Sequence, residues 1–411
     1  MIDTKVMREK FPSLHRMHNS FPMIFFDGPG GTQMPGEVID AISDYYKTSN
    51  SNTHGEFITT RETDDMIRNA RETIAVFLGA EGEETISFGQ NMTSLNFSLA
   101  HGIGRILQAG DEILITQLDH EANRGPWLML REYGIIVREI ALLQNGQLDY
   151  EDLSKKINER TRLVAMGWAS NALGTVNDVK RVRQLCYQYN AWLMLDAVAY
   201  APHFAINVKE TGCDFLICSA YKFYGPHMGI LYSRPGLLNQ IQTDRLITIE
   251  QRAPYCIETG TLNHAAIAGI TAAIRFIASH GKGNNLRESL EDAYKQLGEH
   301  ERGLAIRLWN GLKKTPGISL IGQNFDSEHR SPTVSFTMED KTPAEVCAHL
   351  AKKNICAWDG HFYAIRAIQV LGLLEKGGVT RLGISFYNTQ EEIDITLAEI
   401  KSLAEERIRK T

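Results

Sequence analysis

Between residue 84 and about residue 235 the chain alternates short apolar, β-branched runs with longer stretches whose apolar positions recur three and four apart. The runs Thr85–Phe88, Glu112–Thr116, Ile135–Ile140, Arg162–Met166, Trp192–Leu195, Phe215–Cys218 and Gly229–Tyr232 predict strands. Leu95, Leu99, Ile103, Ile106 and Leu107 share one helical face, and Tyr150–Ile157 follows Asp149, a side chain suited to capping a helix. Strand–helix alternation implies crossover units and a mostly parallel, mixed sheet, with ligands outside the carboxyl ends of its strands. Beyond residue 285 the pattern changes to a long charged helix, Asn285 to Lys314, then strands Ile318–Ile321 and Thr333–Thr337. A helix Pro343–Lys352, a strand Ile355–Trp358, a segment ending in Arg381–Tyr387 and an amphipathic helix Glu391–Arg409 follow. The expected fold class is α/β: a large domain over 25–284, a smaller α+β domain over 285–411, and a leading segment 1–24 packed with the small domain. Gly281–Asn285 is the turn between the two domains.

Composition narrows the function classes. The 411 residues are 43% apolar and carry a net charge of −6, enough to bury a core and without the basic excess of a nucleic-acid binder. No 18-residue apolar run predicts a membrane span, and the first twenty residues lack a secretory pattern, so a cytoplasmic protein is expected. The six cysteines form no CxxC pair and mostly sit in apolar runs, so neither a disulfide framework nor a metal site is expected. Gly102-Ile103-Gly104 is a broken glycine motif inside a helix, and no Walker, HExxH or GxSxG sequence is present.

Four strand ends carry the candidate chemistry. Asp196 directly follows an apolar strand. Lys222 lies just past another, among Tyr221, Phe223 and Tyr224, where a desolvated ammonium would have a lowered pKa suited to Schiff-base chemistry. An acid and a lysine on separate strand ends are what pyridoxal 5'-phosphate (PLP) requires, the amine for its aldehyde and the carboxylate for its pyridine nitrogen. Asn91-Met92-Thr93 opens the helix of Leu95 and offers backbone amides to a phosphate. His120, beyond Glu112–Thr116, could stack on a heteroaromatic ring.

In order and spacing these residues resemble fold-type I PLP enzymes of the class V aminotransferase group, closest to the cysteine desulfurase and selenocysteine lyase branch. The likeness runs from about Phe25 to Glu399 through Phe26-Asp-Gly-Pro-Gly-Gly31, Asn91-Met-Thr-Ser-Leu-Asn96, Asp119-His-Glu-Ala-Asn123, Ala169-Ser-Asn-Ala-Leu-Gly-Thr175, Asp196, Ser219-Ala-Tyr-Lys222, Gly260-Thr-Leu-Asn263 and Arg381. It implies that Lys222 bonds the cofactor, Asp196 pairs with the pyridinium and His120 stacks on the ring. Asn91, Met92, Thr93, Ser219 and Tyr221 would hold the phosphate, and Asn171 would approach the ring's phenolic oxygen. Thr261 would reach the phosphate of a neighbouring subunit, which implies a homodimer with shared active sites. Arg381 would grip the substrate carboxylate.

The chain departs from the pattern at the substrate end. Where desulfurases carry a mobile cysteine, Trp358-Asp-Gly-His-Phe-Tyr363 places Tyr363, and Trp358 stands where many relatives have arginine. Ala199 replaces a glutamine, and Cys356, seven residues before Tyr363, is poorly placed to substitute for the thiol. The expected function is a PLP enzyme acting on an amino acid or small amine through an external aldimine and Cα deprotonation, not through a persulfide. His361 or Tyr363 would be the extra acid–base group and Trp358 a substrate neighbour. The alternatives are a true cysteine desulfurase or selenocysteine lyase, and a non-catalytic PLP-fold partner or sensor.

Overall fold

The computed structural model describes residues 4–327 and 329–408, with side chains described to residue 405. Seven strands form the central sheet: β1 (Ile86–Gly89), β2 (Glu112–Thr116), β3 (Ile136–Ile140), β4 (Thr161–Gly167), β5 (Trp192–Asp196), β6 (Phe215–Ser219) and β7 (Gly229–Ser233). Their spatial order is β1-β7-β6-β5-β4-β2-β3. Only β7 runs against its neighbours, pairing antiparallel with both β1 and β6. The predicted strands therefore form one mixed, mostly parallel sheet.

Both faces of the sheet are covered, which explains why the strands read as apolar runs rather than alternations. Leu114, Val164, Leu193, Leu195, Leu216 and Ile230 pack into a cluster with Ile74, Ile270 and Leu290 of the helices on one side. Ile113, Ile115, Leu163, Met194, Ile217 and Leu231 pack on the other side against Leu95, Leu99 and Ile103 of helix α1 (Met92–Gly104). Gly102 and Gly104 lie inside that helix. Asp149 caps Tyr150–Lys156 by accepting from the Glu151 and Asp152 amides, and Asn285 caps the long helix α2 (Leu286–Lys313).

The C-terminal region carries a four-stranded antiparallel sheet of β8 (Ile318–Ile321), β9 (Thr333–Met338), β10 (Trp358–Gly360) and β11 (Val379–Gly383), in the order β8-β9-β11-β10. The single strand expected over Ile355–Trp358 is two. Ile355–Cys356 pairs in parallel with Ile24–Phe25, whereas Trp358–Gly360 turns to pair with β11. A partner drawn from the far end of the chain splits the run at Ala357. The segment around Arg381 is a strand only to Gly383, and the last helix spans Gln390–Ile408, with Arg409 outside the described residues. The leading helix Thr4–Glu9 docks at the seam: Arg8 bonds the Tyr387 carbonyl at 2.7 Å and pairs with Glu392 at 2.9 Å. Among the described residues no helix is long and apolar enough to cross a membrane, and no cluster of His, Cys, Asp or Glu is arranged to hold a metal ion.

One contact fixes the sheet to the cleft. A Cβ at Gly229, the first residue of β7, would lie 2.5 Å from the carbonyl carbon and 2.6 Å from the carbonyl oxygen of Asn91, the cap of α1. Gly229→Ala should therefore push the start of α1 away from the sheet and cost about 1–3 kcal/mol, an overpacking penalty. Urea unfolding that shows an unchanged midpoint for this variant would disprove the contact.

Candidate active site

The carboxyl ends of the parallel strands converge on a cleft of about 1090 Å³. Asn91, Met92, Thr93, His120, Asn171, Asp196, Ser219, Tyr221, Lys222, Trp358, His361, Tyr363 and Arg381 all line it. Thr261 does not. It is exposed in a separate, smaller depression shared with Tyr45, Tyr46 and His264.

Lys222 ends a short turn after β6. Its ammonium donates to the Pro29 carbonyl and lies 4.8 Å from the Tyr221 ring centre, which is itself stacked on His227 at 4.5 Å. No carboxylate among the described residues comes within ion-pair distance. Burial lowers its pKa to about 7, and the Arg381 charge acts the same way against the weaker pull of Asp196. A lysine lowered this far offers the free amine, the nucleophilic form, at pH values where an ordinary lysine is charged.

Asp196 ends β5, buried, with Oδ1 accepting from the Val198 amide at 2.9 Å. Burial raises its pKa to about 7, outweighing that hydrogen bond. A cation in front of it, such as a protonated pyridine nitrogen, would return it to carboxylate. His120 accepts from the Ala122 amide through Nδ1 at 3.0 Å, which leaves the proton on Nε2. Burial, with Lys222 and Arg381 adding, lowers its pKa to about 4. The ring is neutral and suited to lie against another ring.

The opening turn of α1 is built as an anion cup. Asn91 caps it by accepting from the Ser94 amide, and the Met92 amide donates to the Ser219 hydroxyl at 2.9 Å. The Thr93 amide and hydroxyl have no partner among the described residues. Free donors at a helix N-terminus favour a phosphate.

The opposite wall comes from the small sheet. Arg381 of β11 is 3% exposed and donates through Nη1 to the Asn171 carbonyl at 3.0 Å, with its guanidinium 3.9 Å over the Phe362 ring. Its Nε is buried without a partner, leaving a donor edge unfilled. Asn171 donates to the Phe362 carbonyl at 2.8 Å, so its amide holds the loop rather than standing free. Tyr363 is 68% exposed, its ring 5.3 Å from that of His120. His361 Nδ1 accepts from the Tyr363 amide at 3.1 Å.

Several residues that position the site escaped sequence reasoning. Asp119 bonds the Gly167 amide at 2.9 Å and Asn123 at 3.0 Å, joining the loops that carry His120 and Asn171. Its place in the Asp119-His120 block was the signal available. Asp27 is part-buried, its Oδ1 enclosed and unpartnered, and burial raises its pKa to about 6 against the Arg381 charge. Nothing local in the sequence marks that role. No cysteine is among the cleft-lining residues. Cys356 is part-buried in its two-residue strand, and burial pushes its thiol up to about 11.

Comparison with known proteins adds a lineage. Residues 24–396 match the family described as Aminotransferase class-V. A "Probable cysteine desulfurase" of Mycolicibacterium paratuberculosis is 33% identical over 98% of this chain and 59% of its own length, so the chain spans under two thirds of that relative. An aminotransferase-like protein of Gibberella zeae is 33% identical over 94% of this chain and 95% of its own. The apo structure of a cysteine desulfurase from Thermococcus onnurineus superimposes with a TM-score of 0.88 at 26% identity, covering 98% of this chain and 99% of the other.

The lowered pKa of Lys222 gives an immediate expectation. Uptake of PLP by apo-protein, followed by absorbance, should speed up as pH rises through about 7, where burial places the free amine. A rate still climbing steeply between about pH 9 and 11, as for an ordinary lysine, would contradict it.

Proposed function

The chain belongs to the class V aminotransferase family, and we propose that it is a PLP enzyme that acts at Cα of an amino-acid substrate without forming a persulfide on its own thiols. Its cofactor is pyridoxal 5'-phosphate, as membership of that family implies. The observation that carries the reading is the composition of the cleft: Lys222, Asp196, His120 and Arg381 face one space, and no thiol does.

When bound, the cofactor supplies an electrophilic carbon for amines and a ring that accepts the electrons left at Cα. The amides of Met92 and Thr93, the Asn91 side chain, Ser219 and Tyr221 would hold its phosphate on the α1 dipole. Thr261 would add a donor from a second copy of the chain in a homodimer. Asp196 would keep the ring nitrogen protonated, and the neutral His120 imidazole would lie against the ring. The open edge of Arg381 receives the substrate carboxylate in a two-point contact while Nη1 stays tied to Asn171. Lys222, as the free amine that burial favours, would take the Cα proton. His361 and Tyr363 stand at the mouth as proton carriers for the group beyond Cα.

A second reading, cysteine desulfurase, is favoured by the names of relatives such as the mycobacterial protein. The burial of Cys356 opposes it, because a thiol held near 11 is almost wholly protonated at neutral pH and a poor sulfur acceptor. Holo-protein given L-cysteine separates the two. Alanine release that disappears in Cys356→Ala, with a persulfide on the wild-type chain, would establish the desulfurase. Product formation indifferent to Cys356→Ala supports the reading here.

Two variants test the roles directly. Lys222→Ala should lose the borohydride-fixed cofactor tag and at least about 10³-fold in kcat. Arg381→Ala should raise KM for carboxylate-bearing substrates about 10- to 100-fold, the loss of a charged hydrogen-bond pair, and a retained KM would remove Arg381 from the substrate site.

A further inference from the structure

The substrate end of the cleft has a shape that the catalytic reading leaves unused. Trp358 and Arg381 are directly paired across the antiparallel β10–β11 ladder, so their side chains share one face of the small sheet. The indole is 53% exposed, whereas Trp127, Trp168 and Trp309 are buried. Space is reserved for it: a Cβ at Gly30 would come within 3.1 Å of the indole Nε1.

The other side is a loop held under strain. Phe362 and Tyr363 both adopt left-handed backbone conformations, at φ 51° and 58°, which bulky side chains rarely occupy. Such strain persists only where the surroundings impose it. Here the Phe362 carbonyl accepts from Asn171 at 2.8 Å and the Tyr363 carbonyl from the Glu121 amide at 2.7 Å. Arg366 then ties the following helix to Glu139 at 2.9 Å. The result lays Phe362 beneath the Arg381 guanidinium and turns the Tyr363 ring outward, 68% exposed, at the mouth.

We propose that the cleft selects α-amino acids bearing a flat aromatic side chain, held between Trp358 and Tyr363. This rests on the reading of the cleft as an amino-acid site. A carboxylate docked on Arg381 has Trp358 as its cross-strand neighbour, and a side chain leaving towards solvent passes the indole and the phenol. Both rings are more than half exposed and gain buried area and ring–ring contact when a flat apolar group enters. A cysteine-sized side chain offers neither ring a flat surface to stack on.

The test is a titration of PLP-loaded protein with L-phenylalanine, L-tryptophan, L-alanine and L-cysteine, reading the cofactor absorption and identifying products by mass spectrometry. The aromatic pair should half-saturate at roughly tenfold lower concentration than alanine. Trp358→Leu and Tyr363→Leu should each shrink that ratio, and Tyr363→Phe should preserve it. Because both side chains are exposed, none of these changes threatens folding. Alanine or cysteine binding as tightly as phenylalanine overturns the proposal while leaving the amino-acid reading intact. So does an aromatic preference unmoved by either leucine variant, the result expected if a second copy of the chain covers the two rings. A spectrum that responds to none of the four overturns the underlying reading together with this one, and the silent alanine arm identifies that case.

Discussion

The site is organised around one electrostatic problem, keeping a lysine amine in a largely dry place without a counter-ion. Tyr221 and the Pro29 carbonyl flank the ammonium, which is left with that backbone carbonyl as its acceptor. A carboxylate salt-bridged to it would restore the ordinary lysine pKa and remove the nucleophile. The fold instead places Asp196 on the adjoining strand, close enough for its field to be felt and too far for an ion pair. The two groups enter the cleft from different strand ends, and burial brings the pKa of each to about 7.

The large sheet was legible because both faces are buried. Continuous apolar runs such as Leu193–Leu195 and Phe215–Cys218 leave little choice but interior strands, and helix starts were marked by Asp149 and Asn285. Once the strands were set, the rule that ligands gather at their carboxyl ends brought Asn91, His120, Asp196 and Lys222 together. What stayed hidden depends on distant partners. Ile355–Trp358 has the composition of one strand, and only pairing with Ile24–Phe25 divides it. Phe362 and Tyr363 carry no glycine or asparagine to announce positive φ, so the strained loop could not be read from its residues. Asp27 comes within the field of Arg381 only once the chain has folded.

The cleft draws its walls from both sheets. The lysine, the aspartate and the anion cup stand on the large sheet, whereas Arg381, Trp358 and the aromatic loop come from the small one. Hydrogen bonds from Asn171 and Glu121 to the loop, with the Arg366–Glu139 pair behind it, set the distance between the two halves. Substitutions at this seam would change selectivity while leaving the cofactor cradle whole.

The parallel pairing of Ile24–Phe25 with Ile355–Cys356 also has a bearing on biosynthesis. Asn388 fastens the same segment, donating to the Phe25 carbonyl across 363 residues of sequence. Contacts this remote form late, since closing so long a loop is entropically slow. The Pro29 carbonyl that receives Lys222 lies just beyond that segment, so the cleft gains its final wall only after the residues around Asn388 have been made and have docked against Phe25.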